Sequence, residues 1–207
     1  LFWRFTTKMF SPLIEFHFTE DTESQNELTK INVKSQNLPP PIYKIYSVRD
    51  LPKNNKVAVY LPDDTIDDFN FYQGNIIKKL VSDFPNIPFI ITRNSGKYFS
   101  EKNVTCISFA KNMAEIYEQV VTVIRLPIKD ATGVTIIETL SMGREMIASS
   151  TTFPFCKIVN SYDDLYKHLL NILKNPTLQN DASEFIHKNY NNKKFVNQLI
   201  SIYDSIK

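Results

Sequence analysis

A doubly wound α/β fold built on a parallel sheet is what the sequence predicts, and three observations predict it. Short apolar runs such as Lys56–Leu61, Val121–Leu126 and Glu145–Ser149 read as strands buried on both faces. Runs of helical period separate them. The two kinds alternate through most of the chain, and the right-handed crossover rule then favours a sheet with helices on both sides.

Taken in order, Leu13-Ile14-Glu15-Phe16-His17-Phe18 alternates and predicts a strand. Asp21 to Lys30 predicts a short helix capped by Asp21 or Thr22. Pro39-Pro40-Pro41 forbids regular pairing and marks a linker. Beyond it come a strand over Lys56–Leu61, an amphipathic helix over Phe71–Asp83, and strands over Pro88–Thr92 and Val104–Phe109. A helix over Met113–Gln119, a strand over Val121–Leu126, a helix over Val134–Met142 ending at Gly143, and a strand over Glu145–Ser149 follow. Cys156–Val159 predicts a last short strand, and three helices are expected near 161–174, 181–190 and 193–206. This is the Rossmann-like arrangement, whose ligand lies at the carboxyl ends of the strands.

Composition narrows the class. With 24 basic and 22 acidic residues the net charge is +2, which lacks the basic stripe of a nucleic-acid binder. No apolar run reaches the length of a membrane span, and Leu1 to Phe10 does not read as a signal peptide. Cys106 and Cys156 form neither a disulfide framework nor a metal-ligand spacing, and read as buried free thiols. A reducing cytoplasm is the expected location.

The chemistry is concentrated in Arg125 to Arg144. A strand ends at Pro127, a short loop carries Lys129, Asp130 and Gly133, and a helix begins near Val134 with Glu138 in its early turns. A helix N-terminus at the ligand edge of a sheet offers free N–H groups and a positive dipole end, hence an anion site. Gly133 permits close approach of a phosphate to the backbone. Asp130 and Glu138, with seven residues between them, flank that site and can accept hydrogen bonds from sugar hydroxyls.

Asp130, seven residues, Glu138, then Ser141-Met-Gly-Arg and Met146-Ile-Ala-Ser-Ser150 resembles the signature of the retaining group-1 glycosyltransferases of GT-B fold. The stretches Asn103–Phe109, Met113–Tyr117 and Val121–Pro127 are similar to that family's elements before the acid loop. The ending from Phe185 to Tyr203 is similar to its closing helices, and Phe18–Leu28 to the last strand and helix of its acceptor domain. The resemblance implies a chain made of an acceptor-side remnant and linker, residues 1–41, and a donor-binding domain, residues 42–207, the C-terminal half of a GT-B fold. It implies that Glu138 binds the nucleotide ribose, Asp130 contacts the transferred sugar, and the amides of Gly133, Val134 and Thr135 hold the diphosphate. The implied reaction is metal-independent transfer from a nucleoside-diphosphate sugar, with no other cofactor, to a glycan, lipid or protein hydroxyl. The implied setting is the cytoplasm or the inner face of a membrane, touched through the acceptor domain. Neither the base, the sugar nor the oligomeric state is read from the sequence.

One stretch departs from the family. Where an Arg and a Lys usually neutralise the diphosphate, this chain has Leu61-Pro-Asp-Asp-Thr-Ile-Asp-Asp-Phe-Asn-Phe-Tyr-Gln-Gly74. Aspartates there repel a diphosphate where water is scarce. Arg93, Lys97 or Lys129 is expected to supply the charge from neighbouring loops. The departure also supports a different class, a GT-B-like subunit without catalysis that partners an active transferase. A nucleotide-sugar epimerase would share the fold, yet no catalytic histidine can be placed for one.

Other residues have plainer readings. His17, His168 and His187 are scattered, with His168 expected on an exposed helix face. The acidic cluster 63–68 reads as a solvated loop, Phe69, Phe71 and Tyr72 as anchors of the helix that follows, and the Ser/Thr run 149–152 as a polar turn at the site's edge.

Overall fold

The computed structural model describes residues 2–14, 17–19, 22–38, 44–129, 133–151, 153–190 and 192–206. The chain divides into two compact units, Leu1–Tyr43 with Lys188–Lys207, and Lys44–His187. The tri-proline linker and Asp130 lie outside the described residues.

The smaller unit begins with α1 (Phe2–Phe10) and a 3-10 turn over Ser11–Leu13. Then come β1 (Phe18–Thr19), α2 (Thr22–Thr29) and β2 (Gln36–Asn37). β1 and β2 pair in parallel, Phe18 opposite Gln36 and Thr19 opposite Asn37. The strand expected from Leu13 is corrected here. Pro12 lies in the first turn of the 3-10 segment, where its fixed φ suits a helix start. Ile14 closes that turn with its N–H on the Ser11 carbonyl at 3.0 Å, so the described ladder starts only at Phe18.

The larger unit carries the sheet. Its strands are β3 (Lys56–Tyr60), β4 (Phe89–Thr92), β5 (Val104–Ile107), β6 (Val120–Arg125), β7 (Glu145–Ala148) and β8 (Cys156–Ile158). They run parallel in the order β5-β4-β3-β6-β7-β8. The connecting helices are α3 (Ile66–Phe71), α4 (Gly74–Asp83), α5 (Ala114–Tyr117), α6 (Val134–Ser141), α7 (Tyr162–Lys174) and α8 (Asn180–Asn189); α9 (Asn192–Ile206) ends the chain. The strand order reverses between β3 and β6, and the crevice beyond their carboxyl ends is the place such sheets bind ligands. Val57, Val59, Ile91 and Ile124 from the strands and Ile77, Leu80, Leu165 and Leu169 from α4 and α7 form the core.

The single helix expected over Phe71–Asp83 is two helices. Thr65 and Asp68 form a reciprocal capping box that starts α3 early. The chain then turns through Gln73 in the left-handed region, φ 55°. Gly74 faces the Phe69 ring so closely that a Cβ there would lie 2.3–2.5 Å from three ring atoms. Phe69 is buried, Tyr72 half-buried and Phe71 exposed.

The end of α6 follows a Schellman motif. Gly143, at φ +76°, donates to the Leu140 carbonyl at 3.0 Å, and Arg144 N–H reaches back to Thr139 at 3.1 Å. The chain thereby drops straight into β7. Two smaller expectations change: Cys106 and Cys156 are free but only half-buried, and His168 is half-buried on α7.

Candidate functional site

The start of α6 stands at the carboxyl edge of the sheet. Gly133 is its N-cap in extended conformation, and no side chain caps it. Val134 and Thr135 follow in the first turn, with Val134 exposed and Thr135 half-buried. Arg125, the last residue of β6, lies beneath this turn. A Cβ on Gly133 would come within 3.0 Å of the Arg125 Nε and 3.2 Å of its Cζ, so a larger residue there would push the guanidinium aside by a few tenths of an ångström. That group also stacks over Tyr60 at 4.7 Å and Tyr72 at 5.3 Å from the ring centroids, cation–π contacts that hold its plane in a buried place. Positive charge therefore gathers where the helix dipole is also positive.

One turn into α6, Glu138 lines a cavity of about 160 Å³ together with Thr135, Tyr60, Arg93, Phe109 and Tyr117. The Tyr117 hydroxyl donates to Glu138 Oε2 at 2.9 Å. Burial pushes the Glu138 carboxyl above its ordinary 4.5, while the Tyr117 hydrogen bond and the Lys44 charge pull it back. Burial and the Glu138 charge push the Tyr46 phenol up to about 12, and the Tyr117 phenol well above its ordinary range. A larger cavity, about 300 Å³, is lined by residues that include Gln73, Pro127, Ser149, Asn160 and Ser161. It holds polar groups but no acid, so the smaller cavity is the better candidate for chemistry despite its size.

The raised carboxyl has a consequence for stability. The native state holds the Glu138 proton more tightly than the unfolded chain does. Its contribution is full below 4.5 and is lost as pH rises through the raised value. The thermal midpoint of Glu138→Gln, which cannot ionise, is expected to gain on the wild type as pH rises from 4.5 through the raised value. Parallel curves for the two proteins would contradict this.

The remaining expected site residues fall as follows. Asp130 lies outside the described residues. Lys129 is exposed beside it. Arg93 lines the cavity in the left-handed region, φ 61°, with Nη2 3.0 Å from Asp64. Lys97 donates to the Asp63 carbonyl. The acidic cluster is not uniformly solvated, as the sequence suggests. Asp63 is buried and accepts from Ser95 N at 2.9 Å and Ser95 Oγ at 2.6 Å. Asp68 is spent on the α3 cap and Asp64 on Arg93. Gln73, in place of a basic residue, donates to the Leu126 carbonyl at 3.0 Å. Ser149 donates to the Pro127 carbonyl at 2.6 Å, which makes the polar turn at 149 a brace for the loop. Among the described residues no group of His, Cys, Asp and Glu gathers as a metal site, and no helix is long and apolar enough to cross a membrane.

Tyr60, Tyr117 and Arg125 are not among the residues the sequence singles out. Arg125 carried a signal, a charge closing the apolar run Val120–Ile124. Tyr117 carried none, because its partner is 21 residues away.

No protein-family model matches the sequence, and no curated protein matches it in sequence. Solved structures are similar to it. A TarM mutant from S. aureus, in complex with fondaparinux, alpha-GlcNAc-glycerol and UDP, aligns with a TM-score of 0.79 at 13% identity, over 95% of this chain and 45% of that one. Anabaena HepE, in complex with UDP and glucose, aligns with a TM-score of 0.78 at 10% identity, over 98% of this chain and 66% of that one. Sucrose-phosphate synthase from Thermosynechococcus elongatus gives 0.74 at 16% identity, over 98% and 61%. The chain thus spans less than half of TarM and less than two thirds of the other two. The likeness establishes the fold, a Rossmann-like parallel sheet flanked by helices that corresponds to part of a GT-B chain.

Proposed function

We propose that this chain is the nucleotide-sugar-binding part of a retaining glycosyltransferase that needs no metal. Residues 1–41 are the acceptor-side remnant and linker, and 42–207 the donor-binding domain, although by its contacts α9 belongs to the smaller compact unit. The observation that carries this reading is the half-buried Glu138 carboxylate in a cavity one turn above the uncapped N-terminus of α6. In it Glu138 accepts from the ribose, the amides of Gly133, Val134 and Thr135 hold the diphosphate, and Asp130 contacts the sugar. The cavity is smaller than the ~300–1,000 Å³ of sites that enclose a whole ligand. It suits a nucleoside, with the diphosphate running out over α6.

Arg125 supplies the charge that the acidic loop lacks. Its guanidinium under Gly133, with Lys129 and Arg93 nearby in the chain or cavity, favours negative charge building on the departing diphosphate. TarM and HepE were each solved with UDP, which makes UDP the first nucleotide to test. By calorimetry the chain is expected to bind UDP, and Arg125→Met to bind it about tenfold more weakly. Uridine, without phosphates, should bind both proteins alike. An equal loss for uridine and UDP would remove Arg125 from the diphosphate.

A second reading, a GT-B-like partner subunit without turnover, is favoured by the engaged polar groups around the site. Arg93 is paired with Asp64, Lys97 with the Asp63 carbonyl, and Gln73 with the Leu126 carbonyl. Assays of donor-sugar hydrolysis on the full-length protein separate the two. Turnover excludes the partner reading; nucleotide binding without turnover, with co-purification of a second transferase, supports it.

A further inference from the structure

Tyr117 is completely buried, and a buried tyrosine needs a partner for its hydroxyl. Most such partners are neutral, but here the phenol donates to a carboxylate that lines a cavity. Both ends of the residue are held. Its carbonyl accepts from Arg144 Nε at 2.9 Å, and its ring meets Tyr46 edge-on with centroids 5.9 Å apart. The Tyr46 amide is itself tied to Ser141 Oγ on α6 at 3.0 Å. The bond from Tyr117 occupies Oε2 of Glu138, and among the described residues Oε1 accepts no hydrogen bond. A carboxylate pinned through one oxygen presents the other in a set direction, whereas an unpinned glutamate would have to give up rotamer freedom on binding.

We propose that Tyr117 is a positioning residue that aims Oε1 of Glu138 at a ribose hydroxyl, so that the site discriminates ribonucleotides from their deoxy counterparts. The inference rests on the ribose role given to Glu138 above. A purely structural Tyr117 would support the fold and leave sugar discrimination unchanged.

The test compares UDP with 2′,3′-dideoxy-UDP by calorimetry on the full chain. The wild type is expected to prefer UDP by about tenfold or more, since a hydrogen bond to a charged group is at stake. In Tyr117→Phe that preference should fall to about threefold or less, with the affinity for the dideoxy compound unchanged. The midpoint of UDP binding against pH should also move upward, because the hydrogen bond that lowers the Glu138 carboxyl is gone. The other charged or titratable groups facing Glu138 are Tyr46, Lys44 and Arg93, and all remain in the variant. Should Tyr117→Phe fail to fold around an unpaired carboxylate, Tyr117→Phe with Glu138→Ala removes both the charge and the acceptor that Tyr117 holds. Against Glu138→Ala alone, adding Tyr117→Phe is then expected to change the preference no further. A wild-type preference that survives Tyr117→Phe, or independent effects in the double variant, overturns the proposal. A wild type that binds UDP without preference overturns the ribose reading itself, and is seen before any Tyr117 variant is made.

Discussion

Replacing Arg144 with methionine is expected to lower stability by about 4 kcal/mol, because one buried and two part-buried carbonyls lose a charged donor at ~1–3 kcal/mol each without full additivity. Arg144 is completely buried in the turn after α6. Its Nε donates to the Tyr117 carbonyl at 2.9 Å, Nη1 to Arg49 at 2.7 Å and Nη2 to Asp50 at 2.9 Å. These bonds fasten α5 and the irregular segment 44–50 to the end of α6, where Arg49 N–H on the Met142 carbonyl adds a fourth tie at 3.4 Å. Methionine fills much of the space and restores none of the donors. With an m-value of about 2 kcal/mol/M, the urea midpoint should fall by about 2 M. Lysine should recover part of this, since one ammonium cannot match three carbonyls set around a planar fork. A loss under about 1 kcal/mol for methionine would mean that water replaces the guanidinium, and that the segment 44–50 is held by other contacts.

The second large effect falls on binding. Glu138→Ala is expected to weaken UDP binding about 10- to 100-fold, the range of a hydrogen bond to a charged group. Glu138→Gln keeps an acceptor for Tyr117 and should lie between the two. Calorimetry at neutral pH reads the difference, and the circular dichroism spectrum checks that the fold is kept. Equal affinity in wild type and Glu138→Ala would remove the ribose from Glu138 and with it the strongest support for the proposed function.

The sheet was legible in the sequence because its strands are continuous apolar runs, and α6 because Gly133 and Gly143 bracket it. Its closing Schellman turn needs a residue that tolerates φ +76°, and Gly143 announces that locally. The break before α4 had no such announcement. It uses Gln73 in a left-handed conformation, next to a close approach of the Phe69 ring to Gly74 that the helical period does not show. The apolar alternation from Leu13 fitted a strand as well as a turn, and Pro12 decided for the turn. At the site, Gly133 and Glu138 could be placed from local spacing. Asp63 could not be read as buried, because Ser95, which satisfies it, is 32 residues away. Charge supply was sought in loops, where basic residues are usual, whereas the guanidinium closest to Gly133 comes from the end of a strand.

Arg144 and Glu138 also differ in how they answer to acid. Burial pulls the Arg144 guanidinium below its ordinary value, yet a guanidinium keeps its proton throughout the range where carboxylates titrate. Glu138 takes up its proton above 4.5. Mild acidification is therefore expected to protonate the acceptor in the cavity while the Arg144 fork stays charged and bonded. On the proposed reading, loss of ligand and loss of fold are then expected to be separate events, with binding dimmed on a frame that Arg144 keeps fastened.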